Sequence, residues 1–143
     1  MDNECRSITY REISVGDQAS FPIKITDQLV DDFGHYSGNL NPLHMDEAYG
    51  AKTEFSHRIA FGMMAGSFFS RLLGMYLPGE YSLCLSQTLQ FHHPIMINAD
   101  VVVRGEVLQK IDAFNTILVR TTVEDAATKK VLVGGEALVK VLK

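Results

Sequence analysis

Residues 59–77 form an apolar run that constrains the fold of this chain more than any other segment. Arg71 is the only charged residue in the run, and nearly every other side chain in it is apolar. A helix that is apolar on every face must be enclosed by other elements. At 1.5 Å per residue, a helix over this run would be about 28 Å long, enough to pass through a small domain. Pro78 and Gly79 end it.

The residues after this helix have the pattern of strands. Apolar and polar side chains alternate with a period of two over residues 81–91, which is typical of a strand. Further strands are predicted at residues 100–109, 114–124 and 131–142. The connections between them are short, so neighbouring strands should pair antiparallel. Before the helix, two shorter strands are predicted at residues 8–13 and 18–25.

A flat sheet covers only one side of a helix, so a sheet that encloses a helix must curl around it. The sequence therefore predicts an α+β hot-dog fold, in which a long antiparallel sheet curls around one central buried helix. A chain of 143 residues has the size of one domain, and residues 1–143 are expected to form it. Met63, Met64 and Met75 are predicted to pack in its core.

Two shorter helices are predicted before the apolar run. Thr26 has the side chain of a helix cap, and the helix that starts at Asp27 is expected to be closed by Gly34 and Gly38. Asp46 is the predicted cap of a short helix over residues 47–52.

The segment between these helices, residues 37–46, concentrates polar groups in the sequence Ser-Gly-Asn-Leu-Asn-Pro-Leu-His-Met-Asp. Pro42 has no backbone N–H and favours an extended backbone at Asn41, while Gly38 permits a positive φ. Loops that carry polar side chains on a rigid scaffold are common locations of functional residues. This segment is therefore the first candidate for a functional site.

Charge and hydropathy argue against two classes of partner. The net charge is −4, and the chain has no cluster of Lys and Arg, so a nucleic-acid surface is not expected. Only twelve uncharged residues separate Arg58 from Arg71. A helix that spans a bilayer needs about 20 apolar residues, so the run is predicted to be a core helix rather than a membrane span.

Cysteine and histidine spacing argues against a metal site. Cys5 and Cys84 lie far apart without a C-x-x-C motif, which favours neither a disulfide framework nor a zinc site. His92 and His93 are adjacent, and adjacent strand residues point to opposite faces, so they are a poor chelating pair. Residues 1–4 lack the features of a signal peptide, and the expected location is the cytoplasm.

The segment 37–46 resembles the hydratase motif of the MaoC-like (R)-specific enoyl-CoA hydratases and dehydratases. Residues 61–67, Phe-Gly-Met-Met-Ala-Gly-Ser, resemble the start of that family's central helix. Two later strands also resemble the family, at residues 85–87 with Phe91 and Pro94, and at residues 134–137. The likeness extends from about Asp17 to the end of the chain and implies the hot-dog fold.

The resemblance implies reversible addition of water to a trans-2-enoyl thioester, which gives the (R)-3-hydroxyacyl thioester. His44 takes the position of the catalytic histidine, and Ser67 that of a serine that helps to position polar groups. Gly62 takes the position of the backbone N–H that polarises the thioester carbonyl, and Asn41 is the motif asparagine near the histidine. The carrier, coenzyme A or acyl carrier protein, is part of the substrate, and no further cofactor or metal is implied.

The chain departs from the family pattern at two positions. Asn39 stands where the family has its catalytic aspartate, and Phe61 stands where a histidine often precedes the helix glycine. An amide does not transfer protons near neutral pH, and losing an acid–base partner typically removes about 10²–10⁴ in rate. Four interpretations stay open: a slow hydratase, a non-catalytic thioester-binding protein, an enzyme whose proton comes from another group, and an introduced Asp-to-Asn substitution that traps a ligand.

Thioester hydrolysis is a weaker alternative. Thioesterases of this fold usually carry a carboxylate on or near the central helix, and residues 59–77 have none. A curled sheet with a free edge strand favours pairing between edges, so a homodimer is expected, with the acyl tunnel at or beside the subunit interface. The mildly acidic chain favours coenzyme A over the acidic acyl carrier proteins.

Overall fold

The computed structural model describes residues 4–143. The prediction that no signal peptide is present rests on residues 1–4 and lies mostly outside this range. Within it, six strands form one antiparallel sheet: β1 Gln18–Lys24, β2 Ser82–Gln87, β3 Gln90–Phe91, β4 Asp100–Ile111, β5 Thr116–Asp125 and β6 Val131–Val141. The strand order is β1-β4-β5-β6-β2, and β3 also pairs with β6.

The same residues contain four α-helices: α1 Asp27–Ser37, α2 Pro42–Met45, α3 Glu47–Gly50 and α4 Gly62–Arg71. A π-helical turn, Leu72–Tyr76, continues α4. The predicted caps Thr26, Gly38 and Asp46 are confirmed, whereas Gly34 lies within α1 and does not close it. Thr26 Oγ1 accepts a hydrogen bond from the backbone N–H of Leu29 at 3.2 Å, Gly38 ends α1 with a φ of 77°, and the Asp46 carboxylate caps α3.

One side of α4 packs against the sheet and forms the core. Met64, Ala65 and Phe69 are 2% exposed or less. The sheet contributes fully buried side chains from β4, β5 and β6: Val101, Val103, Val107, Ile117, Val119, Val123, Val133 and Val139. Burying a side chain of this size stabilises a fold by about 1.5–3 kcal/mol. A long antiparallel sheet packed around one central helix is the predicted α+β hot-dog fold.

Residues 8–13 were predicted to form a strand, and this prediction is wrong. Tyr10–Glu12 is a 3₁₀-helix. The Glu12 carboxylate accepts hydrogen bonds from the backbone N–H and the hydroxyl of Thr9, both at 2.8 Å. Local bonds of this kind compete with the ladder of a strand. The Lys110 ammonium donates to the carbonyls of Tyr10 and Ile13 at 2.9 and 2.6 Å, so the turn is held against β4.

The central helix begins later than predicted. It starts at Gly62, whereas Ile59 and Ala60 are extended. Ile59 forms an antiparallel bridge with Met96, and the backbone N–H of Ala60 donates to the carbonyl of Ile95 at 2.9 Å. Tertiary pairing therefore overrides the helical pattern in the first three residues of the run.

Two other elements are shorter than predicted. The helix over residues 47–52 ends at Gly50, and the strand over residues 81–91 divides into β2 and β3. The register of β2 against β6 shifts between Cys84 and Ser86. Irregularities of this kind bend a strand, which suits a sheet that must curve around a helix.

The other side of α4 is open in the single chain. Met63 is 60% exposed, so the prediction that it packs in the core is wrong, whereas Met64 is buried. The apolar faces of β2 and β3 are also about half exposed, at Leu83, Leu85 and Phe91. These four residues, Met63, Leu83, Leu85 and Phe91, are called the open apolar surface below.

The two cysteines do not pair. Cys5 and Cys84 are both free thiols, and the Cys5 thiol donates to the carbonyl of Gly74 at 3.2 Å. Among residues 4–143, no helix combines the length and the apolar character that crossing a membrane requires.

Gly50→Ala is expected to destabilise the fold, because Gly50 packs directly on the backbone of the segment before α4. A Cβ atom at Gly50 would overlap the backbone nitrogen of Arg58, and overpacking typically costs about 1–3 kcal/mol. Gly74→Ala is the matched control, since a Cβ there would meet no described atom within 4 Å. Urea unfolding measures both variants. Equal losses of unfolding free energy would contradict this account of the packing.

Candidate active site

His44 is carried by α2, which has only four residues. Asn41 caps this helix, since its Oδ1 accepts a hydrogen bond from the backbone N–H of Leu43 at 2.9 Å. Pro42 occupies the first helical position, where its missing N–H is not needed and its fixed φ favours the helix. The Asn-Pro pair of the motif therefore starts a single helical turn that presents His44.

The imidazole of His44 is half-buried and held on two sides. Its Nδ1 lies 2.8 Å from the carbonyl oxygen of Ile59. A carbonyl can only accept a hydrogen bond, so Nδ1 must carry the proton, and Nε2 is the unprotonated nitrogen of the neutral ring. The ring also packs on Phe61, with the two ring centroids 4.2 Å apart. These contacts leave the imidazole in the tautomer whose Nε2 can accept a proton.

His44 lines a cavity of about 390 Å³ at the beginning of α4. Gly62 lines the same cavity, so the structure brings together two of the five residues singled out from the sequence. The remaining described lining residues are Ile59, Ala60, Met63, Phe91, His92, His93, Pro94, Ile95 and Val133. The cavity is thus mainly apolar, with three histidines on its walls.

The amino end of α4 is open at this cavity. Phe61 occupies the cap position with an extended backbone, and no described side chain caps the helix. The first N–H groups of a helix have no partner within the helix, and they carry partial positive charge. A Cβ at Gly62 would lie 2.8 Å from the ring of Phe91. The absence of a Cβ at Gly62 therefore lets the ring of Phe91 pack beside the helix start.

The other three predicted residues lie elsewhere. Asn39 is exposed, and its Oδ1 accepts a hydrogen bond from the backbone N–H of Asn41 at 3.2 Å. Asn41 acts as the cap of α2, and the hydroxyl of Ser67 donates to the carbonyl of Met64. None of the three is among the described lining residues of the His44 cavity. Their roles toward a substrate stay predictions, and their observed roles are local.

His92 and His93 are the polar lining residues that the sequence did not assign to the site. The backbone N–H groups of both donate to the carbonyl of Leu132, at 2.9 and 3.1 Å. Their position beside His44 follows from the pairing of Ile59 and Ala60 with residues 95–96, a long-range contact that sequence pattern does not reveal. Within residues 4–143, no group of three His, Cys, Asp or Glu side chains is arranged to hold a metal ion.

The sheet, the central helix α4 and the histidine-lined cavity at its start define a hot-dog domain with a site suited to acid–base chemistry. The chain belongs to the MaoC-like domain family, whose model matches residues 12–129. It is 34% identical over 140 residues to a 3-hydroxybutyryl-CoA dehydratase of Methylorubrum extorquens, covering 98% of this chain and 88% of that protein. These matches place the chain in a family of hydro-lyases.

Two further relatives agree. An (R)-specific enoyl-CoA hydratase of Aeromonas caviae is 35% identical over 132 residues, which cover 91% of this chain and 96% of the relative. The solved structure of an R-hydratase from Pseudomonas aeruginosa superposes with a TM-score of 0.91 at 36% identity, covering 96% of this chain and 87% of the other. The fold and the family predicted from the sequence are confirmed.

The neutral ring of His44 is expected to be protonated at Nδ1, because that nitrogen faces the Ile59 carbonyl. Nitrogen-15 NMR of imidazole-labelled protein above neutral pH distinguishes the two ring tautomers directly. His35, which is exposed, serves as the internal reference for an unrestrained imidazole. Finding His44 protonated at Nε2 would contradict the geometry and would remove the base from the cavity.

Proposed function

We propose that this chain catalyses the reversible (R)-specific hydration of trans-2-enoyl thioesters. The observation that carries the proposal is the shared cavity of His44 and the open amino end of α4. Hydration needs a base for water and a site for the negative charge that develops on the thioester oxygen. The His44 imidazole with its unprotonated Nε2 can act as the base. Helix N–H groups near Gly62 can stabilise the negative charge on the thioester oxygen.

The reaction would proceed as follows. Nε2 of His44 takes a proton from water while the water oxygen bonds to C3 of the enoyl group. The electron pair of the C2–C3 double bond moves toward the carbonyl, and the thioester oxygen is stabilised by the backbone N–H of Gly62. A proton then bonds to C2, which restores the carbonyl and gives the (R)-3-hydroxyacyl thioester.

Asn39 affects the last step, in which a proton is transferred to C2. Its amide can orient water but cannot transfer a proton. In a syn addition, however, the proton from water and the hydroxyl reach the same face of the substrate, so the imidazolium of His44 can return the proton to C2. His92 and His93 line the same cavity and are the alternative donors. On this account the chain is a slow hydratase rather than an inert one.

The room for an acyl group supports the proposal. A second cavity of about 280 Å³ lies further along α4, between Gly66, Leu73 and Leu83. Both cavities border the open apolar surface, which suits an acyl chain that runs beside α4. The carrier would be coenzyme A or acyl carrier protein, with the former favoured by the net charge of −4. We propose that the reaction needs no separate cofactor. We also propose that the protein is located in the cytoplasm.

Adding the chain to crotonyl-CoA should lower the absorbance of the enoyl thioester faster than buffer alone. Asn39→Asp is expected to raise this rate by about 10²–10⁴, because it restores an acid–base partner. His44→Gln should remove the activity of both forms, and Gln90→Glu, at an exposed strand position, is the control for a change of one charge. A His44→Gln variant that retains the full rate would contradict the proposal.

A second candidate is a non-catalytic acyl-thioester-binding protein, which the presence of Asn39 favours. It predicts that calorimetry detects binding of butyryl-CoA, that crotonyl-CoA turnover equals the buffer control, and that Asn39→Asp restores nothing. Rescue by Asn39→Asp without activity in the parent chain would instead identify an impaired hydratase, as expected for an introduced substitution at position 39.

The proposal includes a homodimer. β2 is the last strand in the sheet order, and the residues of the open apolar surface lie on it, on β3 and on the exposed side of α4. A second copy of the chain that pairs along this edge would bury all four residues. Association would also cover the exposed side of α4, which completes the enclosure that its sequence predicts.

Light scattering after size exclusion should give twice the chain mass of 15.9 kDa. Leu83→Glu with Leu85→Glu is expected to shift the protein toward monomer, because two carboxylates would have to be desolvated in the interface. Val15→Glu is the matched control, since Val15 is an exposed apolar residue before β1, at the opposite edge of the sheet. A parent chain of monomer mass at micromolar concentration would contradict the dimer.

A further inference from the structure

Arg58 is a buried charge in the segment between α3 and α4. Only 8% of the residue is exposed, and its guanidinium contacts three oxygen atoms. Nη1 lies 2.7 Å from an Asp31 carboxylate oxygen and 3.0 Å from the backbone carbonyl of His44. Nη2 lies 2.8 Å from an Asp27 carboxylate oxygen. One side chain thus joins α1 to the residue that carries the candidate base.

The helix that presents His44 depends on contacts of this kind. A helix of four residues is too short to be stable alone, and α2 contains no fully buried residue. Three hydrogen bonds connect it to residues 58–59. Besides the bond from Arg58, the backbone N–H of Ile59 donates to the carbonyl of Leu43 at 3.2 Å, and Nδ1 of His44 donates to the carbonyl of Ile59 at 2.8 Å.

The two aspartates make a buried cation tolerable at this place. Burial lowers the pKa of Arg58, but the hydrogen bonds and charges of Asp31 and Asp27 outweigh it, and the net pKa is raised. The guanidinium is therefore charged at neutral pH. Its planar fork reaches separate acceptors in fixed directions, which the single ammonium of lysine does not reproduce.

The Arg58 backbone is held as well. Its N–H donates to a carboxylate oxygen of Glu47 at 3.3 Å, and the other oxygen of that carboxylate lies 2.8 Å from Nδ1 of His57. Gly50 packs against the same backbone. The guanidinium therefore reaches α2 from a segment whose backbone is itself held on α3.

We propose that Arg58 is a positioning residue for His44: by holding the His44 carbonyl against α1, it keeps the imidazole bonded to Ile59 and presented to the cavity. The importance of Arg58 to catalysis rests on the proposed function. The orientation of the ring is a property of the folded protein and can be measured without turnover.

The test compares Arg58→Met, which keeps the bulk of the side chain without its donors, with Arg58→Lys and the parent chain. In the parent, the Nδ1–H proton of His44 should give a sharp NMR signal that exchanges slowly with water. Arg58→Met is expected to broaden this signal or accelerate its exchange at least about tenfold, with partial recovery in Arg58→Lys. Arg120→Met, which breaks an exposed ion pair with Glu106 on the sheet, is the matched control and should change nothing at His44.

Activity provides the second readout. Arg58→Met should lower kcat by about tenfold or more with a smaller change in KM, since small misplacements of a catalytic group cost rate more than binding. If the parent chain does not hydrate crotonyl-CoA, the proposed function fails, yet the NMR comparison still decides the role of Arg58. An unchanged His44 signal in folded Arg58→Met would overturn the inference, whatever happens to the rate.

Should Arg58→Met fail to fold, Asp31→Ala replaces it. This variant keeps the arginine and removes both the charge and the oxygen acceptor that orient Nη1, and Asp31 is partly exposed, so folding is expected to survive. The same loss of the sharp His44 signal is expected, and its persistence at full strength would overturn the inference.

Discussion

The hydrogen bond from Nδ1 of His44 to the carbonyl of Ile59 joins the fold of this protein to its chemistry. Ile59 is extended because it pairs with Met96. Ile59 also belongs to the segment that leads directly into α4. The bond therefore fixes the imidazole relative to the start of the central helix. It also determines which ring nitrogen is protonated. A single 2.8 Å contact thus sets both the place and the tautomer of the candidate base.

The helix ends show how this site differs from the rest of the molecule. Side chains cap α1, α2 and α3, from Thr26, Asn41 and Asp46. At α4 the cap residue is Phe61, which has no oxygen to offer, and its buried ring packs between Phe33 and His44. The N–H groups of Gly62 and Met63 are thereby left for another acceptor, whereas the N–H of Met64 donates to the carbonyl of Phe61 at 3.2 Å. Phe61 therefore supplies a ring that packs on His44 and not a second imidazole.

Much of the fold was predictable because the patterns involved are local. Helix caps, the apolar run and the long strands β4, β5 and β6 each follow from neighbouring residues. The polar segment 37–46, which carries His44, stood out for the same reason. What the sequence missed depends on contacts between distant segments. The pairing of residues 59–60 with 95–96 delays the start of α4 and brings His92 and His93 to the cavity. In the sequence, Arg58 was recognised only as the charged residue before the apolar run. In the structure, its guanidinium donates hydrogen bonds to three oxygen atoms. Met63 was assigned to the core because the apolar run has no polar side. In the single chain, however, one side of α4 is exposed, and Met63 lies on it.

Binding of a thioester that cannot react tests the central claim most directly. Butyryl-CoA lacks the double bond, so it can occupy the site without turnover while NMR reports on individual groups. If the base and the open helix end share one substrate site, the amide signal of Gly62 and the ring signals of His44 should shift together and saturate at the same concentration of butyryl-CoA. Shifts confined to other parts of the chain, or a Gly62 amide that does not respond while His44 does, would contradict it.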